Sequence, residues 1–60
     1  MPFAIGILRK LYIEITPNRY AKAELAQPDL DVAVKEIPSL KDSLVICEVD
    51  AEGNILEVVG

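Results

Sequence analysis

Residues 44–59 read "LVICEVDAEGNILEVV". Two short runs rich in Val, Ile and Leu flank "DAEGN", the pattern of strand, turn and strand. Asp is favoured at the first position of a type I turn, and glycine accepts the positive φ that closes one. A turn over Asp50, Ala51 and Glu52, with Gly53 left-handed as a bulge, fits a common three-residue hairpin loop. That register pairs Val49 with Ile55, Cys47 with Glu57 and Val45 with Val59 on one face. The other face then holds Glu48 with Leu56, Ile46 with Val58, and Leu44. Both faces are mainly apolar, so an antiparallel sheet is expected with each face needing a cover.

The same turn places Asp50, Glu52 and Asn54 on alternate residues, which raises a metal site. An EF-hand loop requires glycine at its sixth position and a bidentate Glu at its twelfth. Counted from Asp50, Gly53 falls fourth and the twelfth position lies past Gly60. The turn accounts for every residue, and no metal or other cofactor is expected. "SLVICEVDAEGNILEVV" also resembles the opening hairpin of PAS sensor domains. The likeness covers one hairpin in a chain too short and differently ordered for the whole domain, so no property is carried over.

Upstream, "FAIGILRKLYIEI" (residues 3–15) alternates with strand period. Phe3, Ile5, Ile7, Leu11, Ile13 and Ile15 share one face of an unbroken strand. Such a strand would be about twice the usual length, so a bend, bulge or break is expected near Gly6 or Arg9–Lys10. A hairpin there lacks the Asn-Gly type of turn signal.

"TPNRYAKAELAQ" (residues 16–27) predicts a helix over about 17–27. Thr16 is a suitable N-cap, Pro17 suits the first helical position, and Pro28 stops the helix. Its apolar side is Tyr20, Ala21 and Leu25, with alanines that allow close approach to a sheet. Residues 29–37 fit either element. Leu30, Val32 and Val34 alternate as in a strand, while Leu30, Ala33, Val34 and Ile37 recur at helical spacing; the valines favour the strand. The expected fold is a single α+β domain over 1–60. It has two layers: an antiparallel sheet of about three to five strands, one short helix, and the hairpin 44–59.

A chain of 60 residues buries only about 60% of its unfolded surface. Small domains offset this with disulfides, a metal or oligomerisation. One cysteine, Cys47, and no histidine leave neither an intrachain disulfide nor a zinc set. With both sheet faces apolar and one helix to cover them, a homodimer or higher oligomer is expected. No apolar run approaches the roughly 20 residues that span a bilayer, and no signal peptide is evident. The expectation is a soluble, cytoplasmic protein without membrane contact.

The net charge of −4 is unevenly distributed. Residues 1–22 carry Arg9, Lys10, Arg19 and Lys22 against Glu14, a balance of +3; residues 23–60 carry Lys35 and Lys41 against nine acids, a balance of −7. The two halves are expected to complement each other within one chain or across a dimer. Arg9, Lys10, Tyr12, Arg19 and Tyr20 are the candidate partner-binding residues. Basic and aromatic residues so interleaved also suit a weak nucleic-acid binder, a reading that the acidic remainder opposes by repelling phosphates.

Three features bear on catalysis. Cys47 has no histidine to activate it and is expected to be a small buried apolar residue. Glu14, Glu48 and Glu57 are carboxylates within apolar strands, but so small a chain offers little cleft for acid/base work on a sugar. Pro2 opens the chain before a strand. Over Pro2 to Leu8 this resembles the tautomerase superfamily, small oligomeric enzymes whose N-terminal proline is the general base. The small side chain of Pro2 predicts loss of Met1, and the resemblance implies Pro2 as base and Arg9 or Lys10 as substrate-binding cations. That family follows its first strand with a long helix; here Arg9, Lys10 and further strand pattern follow. The favoured expectation is a non-enzymatic protein-interaction or regulatory module, with the Pro2 enzyme as the alternative.

Overall fold

The computed structural model describes residues 2–59; Met1, and with it the expected loss of that residue, lies outside the described residues, as does Gly60. Four strands, β1 (Phe3–Leu8), β2 (Ile13–Ile15), β3 (Leu44–Val49) and β4 (Ile55–Val58), form one sheet in the order β2-β1-β3-β4. All neighbours are antiparallel. One α-helix, α1 (Ala23–Glu36), and a 3-10 turn at Pro38–Leu40 connect β2 to β3. Because β2 and β3 both oppose β1, they run parallel to each other, and their connection must cross one face of the sheet. The two-layer α+β architecture and the C-terminal hairpin are those expected from the sequence.

The long first strand breaks at Arg9–Lys10. Arg9 N–H donates to the Tyr12 carbonyl at 2.8 Å, closing a two-residue loop of Lys10 and Leu11. Among the described residues no non-glycine has positive φ, so this loop is not one of the twist-matched primed turns that usually join hairpin strands. The fold-back corrects the expected face assignment. Phe3, Ile5 and Ile7 pack on the helix side with Leu44, Ile46 and Ala26. Ile13 and Ile15 lie on the opposite side with Ala4, Cys47 and Val49.

The helix differs from the expected 17–27. Thr16 is no N-cap: its N–H and hydroxyl both donate to the Ile5 carbonyl, at 3.0 and 2.8 Å. Tyr20 exchanges two backbone hydrogen bonds with Phe3, at 2.7 and 2.8 Å. Residues 16–20 therefore extend the pairing along the free side of β1, which would otherwise leave backbone groups unmatched. The helix begins only at Ala23, after Lys22, which makes no side-chain cap. It then passes through Pro28, its sixth residue, to Glu36, so residues 29–37 are helical rather than the favoured strand, and Pro28 is no stop. Ala23, Ala26, Leu30, Ala33 and Val34 face the sheet, while Leu25, expected on the apolar side, is 54% exposed. Packing of that stripe outweighs both the valine strand propensity and the hydrogen bond lost at Pro28.

The β3–β4 turn forms as expected. Gly53 has φ 86° and donates to the Asp50 carbonyl at 3.0 Å, and Asp50 N–H reaches the Asn54 carbonyl at 3.0 Å. Val49 pairs with Ile55, but an irregularity follows, and Glu48 faces Glu57 while Cys47 faces Val58. Leu56 is left unpaired, which shifts the remaining register by one residue. The expected pairs Cys47–Glu57, Glu48–Leu56 and Ile46–Val58 are thus replaced.

Candidate functional site

Three places on this frame could serve a partner: the tip of the β1–β2 hairpin, a groove beneath α1, and the sheet face away from the helix. At the tip, Arg9 Nε and Nη2 each lie 3.0 Å from Glu14 Oε1, an exposed ion pair and the only one among the described residues. It lies inside the basic half, so the two halves of the chain do not complement each other through ion pairs of their own. Lys10 follows it in the loop, and Leu11 and Tyr12 are 91% and 63% exposed. Turn tips ordinarily carry polar residues, which makes Leu11 the least expected side chain there.

Arg19 and Tyr20 are placed elsewhere. Tyr20 bridges Phe3 at the start of β1, whereas the tip follows its end, a separation of about 20 Å at the usual strand rise. Arg19 folds its Nη1 onto the carbonyls of Thr16 and Asn18, at 2.6 and 3.2 Å, with its other nitrogen beside Gly53. The five candidate residues therefore form two groups. Arg9, Lys10 and Tyr12 sit at one end, and Arg19 and Tyr20 at the other. A continuous basic strip of the kind that follows a phosphate backbone is not assembled from them.

The groove lies between α1 and the sheet on the β2 side, with a volume of about 340 Å³. Ile5, Ile7, Leu40 and Leu44 form its apolar part. Asp29, Val32, Ala33 and Glu36 line it from α1, and Thr16, Asn18 and Tyr20 from the loop before the helix. The Tyr20 hydroxyl donates to Asp29 Oδ2 at 2.6 Å. That bond to a carboxylate, with some burial, raises the Tyr20 pKa above its ordinary value. The groove lining contains two carboxylates and no cationic side chain.

On the far sheet face, Ala4, Cys47 and Val49 are buried although no helix covers them. Ile13 of β2 curls over them, at the position of the missing Gly6 side chain. The cover stops there. Leu8, Ile55 and Val58 are exposed on this side, and the whole of β4 is exposed at the sheet margin. Cys47 is free and buried, and burial raises its pKa; the Glu57 expected beside it pairs with Glu48 instead. This surrounding is the opposite of what activates a thiolate.

The remaining candidates follow directly. Pro2 is half-buried at the start of β1, and its carbonyl accepts the Val49 N–H at 2.9 Å. Arg9 and Lys10 lie beyond the other end of that strand, out of reach of a substrate held at Pro2 of the same chain. Glu48 and Glu57 face each other across β3 and β4, outside the groove, and Glu14 is held by Arg9. Among the described residues, no group of three or more His, Cys, Asp or Glu is arranged to hold a metal.

Asp50 acts within its turn. Its Oδ1 accepts the N–H groups of Glu52 and Asn54 at 2.9 and 2.8 Å, and its Oδ2 accepts the Asn54 side-chain amide at 3.2 Å. These bonds, the Asn54 N–H foremost, hold the Asp50 pKa below its ordinary value. A lowered folded-state pKa gives stability that is complete above the unfolded pKa, about 3.9, and is lost as pH falls through the folded value. Asp50→Ala is therefore expected to lower the melting temperature at pH 7, with the gap to the parent protein closing in strong acid. A gap that stayed constant from pH 7 to pH 2 would show that the carboxylate charge contributes nothing.

Asp29 and Glu36, which give the groove its charge, and Leu11 at the tip were not singled out from the sequence. Asp29, Val32, Ala33 and Glu36 recur at helical spacing, a usable signal once 29–36 is known to be helix. Comparison with protein-family models, with curated proteins and with solved structures found no match for this chain.

Proposed function

We propose that this chain is a self-associating protein-interaction module of the cytoplasm, without catalytic chemistry of its own. The observation that carries the reading is the apolar surface left over by the fold. One helix covers one sheet face; the other is closed only around Ala4, Cys47 and Val49, leaving Leu8 of β1 exposed together with all of β4, Ile55 and Val58 included. A margin strand with apolar side chains and free backbone groups is a template for another strand, and natural proteins usually cover or charge such margins. Here Glu57 is its only charged residue. The second copy is the partner that the composition itself suggests, since a chain this small gains most from shared burial.

No helix among the described residues is long and apolar enough to cross a membrane. An unpaired, buried Cys47 suits a reducing compartment. Ile55 and Val58 lie on the same face, opposite Val49 and Cys47. Ile55→Lys with Val58→Lys is expected to lower the association state while leaving the circular dichroism spectrum unchanged. A folded double variant that associated like the parent would remove this face from the interface.

A further inference from the structure

The hairpin tip and the groove beneath α1 have complementary chemistry. The tip presents Leu11 and Tyr12 next to Lys10, an apolar knob with a cation that makes no ion pair among the described residues. The groove offers an apolar floor of Ile5, Ile7, Leu40 and Leu44, with the carboxylates of Asp29 and Glu36 along its helical wall. We infer that the tip of one copy seats in the groove of a second copy, Leu11 on the apolar floor and Lys10 against the α1 carboxylates. This rests on the self-association reading and adds to the β4 margin a separate contact on the helix side of the sheet.

Four observations favour that occupant. At about 340 Å³ the groove is at the small end of binding cavities, which run from about 300 to 1,000 Å³, and suits a few side chains rather than a large ligand. Its charge is of one sign, and the tip supplies the other. Glu36 occupies the last turn of α1, where a carboxylate meets the negative end of the helix dipole. A residue placed against its local electrostatics is a candidate for a role outside the fold. Finally, knob and groove are near neighbours on one chain. Ile7 and Leu44 pair within the groove, and Leu8 N–H, one residue on, bonds the Ser43 carbonyl just before the tip begins. Two copies related by a two-fold axis can then exchange tips reciprocally, the same contact being made twice.

The test is the dissociation constant of the full chain, by sedimentation equilibrium, for the parent, Lys10→Glu, Glu36→Lys and the two combined. Each single reversal is expected to weaken association by about tenfold or more, the scale of a close charge pair at an interface. The combination is expected to return to within about threefold of the parent, because the pair is restored with its signs exchanged. Folding is a poor alternative explanation: Lys10 is an exposed loop residue, and a lysine at 36 suits a helix C-terminus. Melting curves on the same samples check this. An associating parent whose constant is unmoved by Lys10→Glu and by Leu11→Ser would overturn the inference and leave self-association standing. Weakening by both reversals without recovery in the combination would also overturn it, since the tip would then contact something other than Glu36. A parent that is monomeric throughout would overturn both readings.

Discussion

Gly6→Ala is expected to destabilise the protein by about 2 kcal/mol, within the range for overfilling a packed site. Strand propensity alone predicts the opposite sign, because glycine weakens a strand interior relative to residues with a side chain. Packing decides. A Cβ at position 6 would stand 2.6 Å from Ile13 Cγ2, 3.2 Å from Cys47 Sγ and 3.3 Å from Val45 Cγ2. The Ile13 methyl is on a branched carbon close to the backbone, so it cannot swing aside as the end of a long chain could. Relief requires β2 to lift from the sheet. Because Ile13 helps cover Cys47, two readouts should move together: the urea midpoint falls, and the native thiol gains reactivity towards a disulfide reagent. Gly6→Val should do both more strongly. An unchanged midpoint for Gly6→Ala would mean that Ile13 does not close over β1 as described.

Pro28→Ala is expected to stabilise the protein by about 2 kcal/mol. In a helix interior, proline is about 3 kcal/mol less favourable than alanine, through its missing N–H and the clash of its ring with the carbonyl four residues earlier. Here that carbonyl belongs to Glu24, within α1. Against the gain stands the stiffness proline gives the unfolded chain, about 0.4–1 kcal/mol. The net change should raise the melting temperature by roughly 8–16 °C in a domain of this size. The site is exposed, so no repacking complicates the comparison. A variant less stable than the parent would show that proline at this position sets a helix geometry the sheet contact needs.

These two sites also mark how far the sequence could be read. The C-terminal hairpin was legible because Asp50, Gly53 and Asn54 supply local turn chemistry that tertiary contacts need not impose. The break at Arg9–Lys10 was legible from strand length, but its consequence was not. A two-residue loop of Lys10 and Leu11 carries no turn signal, so the transfer of Ile13 and Ile15 to the other face depends on what they meet across Gly6. The helix was misplaced for a related reason. Thr16, Pro17 and Pro28 are valid start and stop signals taken alone. They yield to two non-local demands, the pairing of β1 with Thr16 and Tyr20 and the burial of Ala26, Leu30 and Val34. The slip at Leu56 was invisible in a sequence where one register looks as apolar as the next. Of the candidate site, the basic residues could be found by type. Their division between two ends of β1, and the groove that Asp29 and Glu36 flank, required the correct helix.

We propose that this fold completes itself with a second copy. Sedimentation equilibrium of the untagged protein, from about 1 to 100 µM, tests it most directly, since that range spans the dissociation of micromolar complexes. A self-associating chain shows a mass of at least twice 6.6 kDa at the upper end, falling on dilution. A mass of 6.6 kDa at every concentration would contradict it.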